Sequence, residues 1–290
     1  MTITIAWERK LPGGSELVFC SDSRLSGGGN IDVCQKVFPL PREDAAVGFC
    51  GSTLLAYPVI HQFISYVRQY KKNMDRAIDG SELPRRFAAL INRFLQAYIN
   101  PVDLKSELME TSFIVGAHSW ILKRPVISRI RYENSTKRFV AASTRFPRKQ
   151  SATLYKAGDF AVIGDLRPQF YQRLAKLIDY ENASKFDMQP FSALTSMLGD
   201  IAFTDRHGEF KGPIGGAPQL MKIYPFFRTL EFGVYWPNRA TGVLHLNGRT
   251  LFDYEKLTLP QIDGTTLETF YPMAELNNAD TWPPVAVLKP

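Results

Sequence analysis

What most constrains this chain is that its hydrophobic period changes in blocks. Thr2, Ile3, Thr4 and Ile5 alternate in character as a pleated strand requires, and the first fifty residues read as β. This stretch is broken at LPGGSE (11–16) and SGGGN (26–30), whose glycines and proline supply turn dihedrals. The spacing predicts strands over 2–8, 16–24, QKVFPLP (35–41) and AAVGFCGS (45–52). From Ser52 the period becomes helical, with Leu55, Val59, Phe63, Tyr66, Val67 and Tyr70 on one face and Pro58 near the first turn. A second helix is predicted where Ser81 caps, Pro84 enters the first turn and Phe87, Leu90, Ile91, Phe94, Leu95 and Tyr98 form one stripe.

The period then returns to strand over 111–119, 126–133 and 153–165, to helix over 167–183 and 191–204, and to strand over 219–227, 230–236, 240–248 and 249–257. Grouped strands with grouped helices argue for an α+β chain and against a βαβ-wound parallel sheet. Two antiparallel sheets flanked by helix pairs, a four-layer αββα sandwich, is the expected fold. One domain is expected over 1–255. Residues 256–290 are polar, proline-bearing and aromatic, and read as an extended C-terminal arm.

The 290 residues are 45% hydrophobic, enough for a substantial core, and contain no apolar run of bilayer length. Glu8, Arg9 and Lys10 interrupt the first strand too early for a signal segment. Three cysteines (Cys20, Cys34, Cys50) without CxxC spacing argue against a disulfide framework or a zinc site, and for a reducing compartment, so a cytoplasmic location is expected. The formal charge is +7, yet basic residues are spread along the chain. The densest stretch, 137–149, holds five basic and no acidic residues and reads as a solvated face rather than a nucleic-acid patch. There is no Walker loop, GxGxxG, GxSxG or HExxH, and the four histidines are isolated, so no cofactor and no metal is expected. Cys50 reads as an inert buried thiol.

The informative residues lie in the first quarter: TITIAW (2–7), FCSDSRLSGG (19–28), CQK (34–36) and AVGFCGS (46–52). This ordered set resembles the proteasome β-subunit type of N-terminal nucleophile hydrolase, including the bacterial proteasome-like proteins. In that pattern a threonine opens a strand, Asp-Ser-Arg ends the second, a lysine follows, and a glycine stands in an AVG-x-x-G-[ST] turn before a helix. The resemblance is densest over residues 2–70, and IGGAPQLMKI (214–223) is similar to the family's Gly-Gly strand opening. It implies an αββα sandwich and a closed homo-oligomeric ring, with an unfoldase or accessory partner.

It also implies a threonine peptidase or amidase. A threonine hydroxyl needs a base, and an N-terminal threonine carries one in its own α-amino group, whose reference pKa lies near working pH. Thr2 would be that nucleophile once Met1 is removed; Thr4 would need a further cleavage. By resemblance, Lys36 stands beside Thr2 and favours the neutral amine, and Asp22 holds the lysine. The Gly51 N–H meets the oxyanion. Substrate lies as an added strand against Leu25–Ser26 and Ser52–Thr53, and Cys34, Phe38, Phe49, Thr53 and Tyr57 line an apolar first pocket.

Two positions depart from the pattern. Asp165 stands where the family has a serine, and would accept a hydrogen bond from the amine. Lys211 and Ile214 replace an aspartate and a serine, with Asp205 six residues upstream of Lys211. A catalytically silent ring or scaffold subunit is therefore the alternative to the hydrolase. A basic nucleic-acid or anion binder on the same fold is a third reading.

Overall fold

The computed structural model describes residues 2–26, 29–98, 104–200, 212–225 and 228–272. β1 (Ile3–Leu11) and β2 (Gly14–Ser21) form the first hairpin, turning at Pro12-Gly13 where Gly13 takes a φ of +88°. β3 (Leu25–Ser26) and β4 (Asn30–Ile31) make a small ribbon, and β5 (Val37–Pro39) pairs with β6 (Ala45–Cys50). α1 (Thr53–Gln69), the single turn α2 (Lys71–Met74), α3 (Leu83–Gln96) and α4 (Lys105–Glu110) follow. β7 (Ser112–Ser119), β8 (Arg124–Glu133) and β9 (Arg138–Ser143) are an antiparallel meander. Then come α5 (Ala152–Ala157), β10 (Phe160–Gly164), α6 (Arg167–Leu177) and α7 (Gln189–Leu198). The chain continues through β11 (Gln219–Tyr224), β12 (Arg228–Trp236), β13 (Val243–Leu246), β14 (Arg249–Thr250), β15 (Gln261–Asp263) and β16 (Thr269–Phe270).

The strands form two principal sheets. One runs β10-β1-β2-β11-β12-β13-β14, with β15 parallel to β12 and β16 beyond it; the other runs β5-β6-β7-β8-β9. Period-two alternation sends successive side chains to opposite faces. On β1 and β2, Ile3, Ile5, Trp7, Val18 and Cys20 face a cluster shared with Phe170, Leu174 and Phe191 of α6 and α7. Ala6, Leu17 and Phe19 face the other sheet, where they meet Ala46, Ile114 and Ile127. The outer face of the second sheet, with Val47, Phe113 and Val115, is covered by Val59, Phe63, Phe87 and Ile91 of α1 and α3. Phe63 stacks on Phe87 at 4.5 Å, and Phe87 meets Phe113 edge-on at 5.1 Å. Burying each such ring stabilises the fold by about 1.5–3 kcal/mol.

The expected four-layer αββα sandwich is corrected. Among the described residues the chain is mainly antiparallel sheet, 35% strand against 29% helix, with few helices. α2, α4 and α5 span only four to six residues. The β13–β14 end of the larger sheet is half-exposed. Paired strands and the seam between sheets organise the chain, and the helices are local covers.

Three local expectations also change. Residues 152–157 are helical rather than strand, because the Ser151 hydroxyl accepts a hydrogen bond from the Leu154 amide at 3.1 Å and starts a turn. Beyond Thr250 the expected strand over 249–257 gives way to irregular chain. The expected arm over 256–290 is partly sheet: β15 lies along β12 with Ile262 buried, and Phe270 packs under the Arg239 guanidinium at 3.9 Å. Its remainder from 273 lies outside the described residues. Among the described residues, no helix is long and apolar enough to cross a membrane.

Gly164 ends β10 with a φ of +98°, and a Cβ placed there would lie 1.9 Å from the Thr2 carbonyl oxygen. Gly13 has a similar φ but open space around it. Gly13→Ala is therefore expected to cost only backbone strain, about 1–2 kcal/mol. Gly164→Ala is expected to cost at least about 1 kcal/mol more, as displaced urea midpoints at unchanged slope would show.

Candidate active site

The start of β1 is held from two sides. The Thr2 backbone nitrogen donates to Asp165 Oδ2 at 2.9 Å, and the Asp165 amide donates back to the Thr2 carbonyl at 2.7 Å. This clasp exists because Gly164 turns the chain just after β10 has paired with β1, Ile3 opposite Gly164. Thr2 is 1% exposed.

The second hold is Asp22, at the end of β2. Its Oδ1 accepts from the Ile3 amide at 3.0 Å and from the Lys36 ammonium at 2.8 Å. Its Oδ2 accepts from the Arg24 amide at 3.2 Å and the Gly215 amide at 3.1 Å. Both Asp22 and Lys36 are fully buried, so the ion pair lies in a low-dielectric setting where each charge depends on the other. Burial holds the Lys36 ammonium below the usual lysine value, and the Asp22 carboxylate opposes that shift. Ser23 and Arg24 extend the same anchor: Ser23 bonds Ala217, and Arg24 forks onto Asp32 while reaching the Gly212 carbonyl at 3.0 Å.

Gln219 was not legible in the sequence as a site residue. Its side chain accepts from the Lys36 amide at 2.9 Å and donates to the carbonyls of Cys34, at 2.7 Å, and Asp22, at 3.2 Å. It thereby fixes the backbone that carries the lysine. Only its position at the opening of β11, paired with Ser21, could have pointed to it.

Asp165 also lines a cavity of about 860 Å³. Gly51, Leu25, Ser26, Ser52 and Thr53 share its wall, as do Glu107, Arg129 and Arg167. Gly51 has a φ of +97° and runs so close to Thr111 that a Cβ would come within 2.5 Å of its Cα. Beyond it, the Ser52 amide donates to Thr111 Oγ1 at 3.0 Å and the Ser52 hydroxyl to Glu107 at 2.8 Å. Thr2 and Lys36 do not line this wall; Asp165 joins Thr2 to it.

The expected apolar first pocket is corrected. Of Cys34, Phe38, Phe49, Thr53 and Tyr57, only Thr53 faces the cavity. Phe38 and Phe49 are buried in the helix-side core, with Tyr57 edge-on to Phe49 at 5.3 Å. Cys34 is half-buried, and burial pushes its thiol up. Strand alternation on β5 and β6 turns Phe38 and Phe49 toward α1. Cys50 is buried, and desolvation pushes its thiol up to about 12. The Thr4 hydroxyl is engaged by Ser21 Oγ at 2.9 Å and the Phe49 carbonyl at 2.8 Å, fully buried. Ile214 is buried in the cluster beneath β1, while Lys211 and Asp205 lie outside the described residues. Among the described residues no group of His, Cys, Asp and Glu is placed to hold a metal.

No family model and no curated protein matches the chain. Among solved structures it is similar to the Anbu (Gly-1) mutant from Hyphomicrobium sp. strain MC1, at TM-score 0.51 and 15% identity, covering 80% of this chain and 87% of that one. A likeness this distant shows the fold alone. The resemblance of residues 2–70 to the proteasome β-subunit family is thereby corrected: no family model supports it, and the structural likeness is weak. A few short motifs matched residue by residue carry less weight than an absent match over the whole chain.

Lys36→Met strands the Asp22 carboxylate and is expected to cost about 3–5 kcal/mol in denaturant unfolding. The double variant Asp22→Asn/Lys36→Met is expected to cost less than Lys36→Met alone. Equal losses would show that the buried charge is not what makes the single change costly.

Proposed function

We propose that the chain is an amide hydrolase in which Thr2, freed of the residue ahead of it, is the nucleophile. The observation that carries this reading is the double hold on the first residue of β1. Asp165 and the Asp22–Lys36 pair converge on the Thr2–Ile3 backbone, and Asp165 belongs to the cavity wall. A buried carboxylate–ammonium pair holding the Ile3 amide, beside a second carboxylate holding the Thr2 amide, has a use if the chain end itself reacts.

In this reading the Thr2 Oγ attacks an amide carbonyl while its proton passes to the free α-amine. Collapse of the tetrahedral intermediate breaks the C–N bond, and the proton moves from the ammonium to the leaving amine. An ester on Thr2 remains. Water then attacks it, the same amine takes the water's proton, and carboxylate and hydroxyl separate. The Lys36 charge favours developing negative charge, and a Gly51 N–H turned into the cavity stabilises the oxyanion by a few kcal/mol. Asp165 holds the amine in position.

The second reading, a silent scaffold or binding subunit, is favoured by Thr2 being almost fully enclosed and by Ile214 standing buried beside β1. Intact mass before and after treatment with a β-lactone separates the two. The hydrolase requires loss of Met1 and one adduct mapped to Thr2. Thr2→Ala is expected to remove the adduct and any cleavage of fluorogenic peptide amides, with an unchanged thermal melt. Retained Met1 without an adduct would establish the silent reading.

A further inference from the structure

β8 carries an arginine where its pattern calls for an apolar side chain. Ile127 faces the seam between sheets, while Ile130 faces α1 and α3. Arg129 stands two residues from Ile127, on the seam side, opposite Ile114 of β7 and Ala142 of β9. There it lines the cavity, and its Nε is enclosed with no hydrogen-bond partner. Arg167, the first residue of α6, lines the same cavity two residues after Asp165.

Neither arginine forms an ion pair among the described residues. By contrast, Arg9, Arg24, Arg42, Arg173 and Arg249 each have a carboxylate partner. The carboxylates around the cavity are otherwise engaged or turned to solvent: Glu107 takes the Ser52 hydroxyl, Asp165 takes Thr2, and Glu110 is exposed. Burial, then the nearby charges of Arg131 and Arg167, hold the Arg129 guanidinium below its usual value. An enclosed guanidinium donor without a partner is costly, and a planar carboxylate is what its geometry accepts.

We propose that Arg129 and Arg167 form a carboxylate subsite, so that the cavity takes peptides bearing a carboxylate next to the reacting bond, as an Asp or Glu side chain or a chain end. This deepens the hydrolase reading and replaces the apolar preference expected from Cys34, Phe38 and Phe49. It is tested by binding, which does not depend on turnover.

Four probes are titrated calorimetrically into the full chain: acetyl-Ala-Ala-Asp-amide, its Asn and Leu counterparts, and acetyl-Ala-Ala-Ala with a free carboxylate. The Asp amide is expected to bind at least about tenfold tighter than the Asn amide, with affinity falling as salt is raised. Arg167→Gln, on an exposed helix start, and Arg129→Gln are each expected to reduce that preference to about threefold or less, with Arg129→Lys keeping part of it. Binding of the free-carboxylate probe in place of the Asp amide would assign the subsite to chain ends. Equal Asp and Asn affinity, tightest binding of Leu, an undiminished preference in folded Arg167→Gln, or no binding of either carboxylate probe at millimolar concentration would each overturn the proposal. Selective binding without cleavage would sink the hydrolase reading and leave this one standing.

Discussion

The Asp22 carboxylate is the interaction on which the candidate site depends. It joins four stretches of chain far apart in sequence: the start of β1, the turn after β2, the segment before β5 and the loop before β11. Each of its oxygens accepts two hydrogen bonds, and one of the four donors is charged. A carboxylate satisfied in this way tolerates complete burial, whereas one with a missing partner does not. The seam between the sheets depends on the same geometry, since the register of β1 against β2 and β10 sets which residues face it. A one-residue slip would turn Ile3, Ile5 and Trp7 away from α6 and α7 and toward the other sheet.

Much of this was legible from residue type and spacing. β2, β6 and β7 read as strands because both faces of these strands are buried, which gives short continuous apolar runs bounded by turn residues. Asp22, Lys36 and Gly51 were singled out by the resemblance of their motifs and Asp165 as a departure from that pattern; the structure draws Asp22, Lys36 and Asp165 to the start of β1 and places Gly51 in the cavity wall. Gln219 was not legible, because a lone glutamine at a strand start has no local signature. Arg129 had one: it falls on the same side of VISRIRYE as Ile127, a charge in a seam row.

Other features were misread for physical reasons. The family resemblance implied that Phe38, Phe49 and Tyr57 line a pocket; in the structure Phe38 and Phe49 are core under α1, and Tyr57 of α1 packs on them. The helical blocks suggested complete layers, yet three of the helices are one or two turns long and the far strands of the larger sheet are only half covered. The terminal stretch looked unstructured because β15 is three residues long, too short to show a period. Its parallel pairing with β12 is a tertiary contact that local pattern does not encode.

In the hydrolase reading, the reciprocal clasp between Thr2 and Asp165 bears on the removal of Met1. A carboxylate accepts a hydrogen bond from a peptide N–H and from an ammonium in the same direction, so the clasp is geometrically indifferent to whether a residue precedes Thr2. The charge count is not. With Met1 attached, the group holds two carboxylates, Asp22 and Asp165, against one lysine; with a free ammonium it holds two of each sign. Removal of the leading residue would thus complete an electrostatic square whose other three corners are already built. Processing would then act as a neutralising step on a finished scaffold, not as a trigger for refolding.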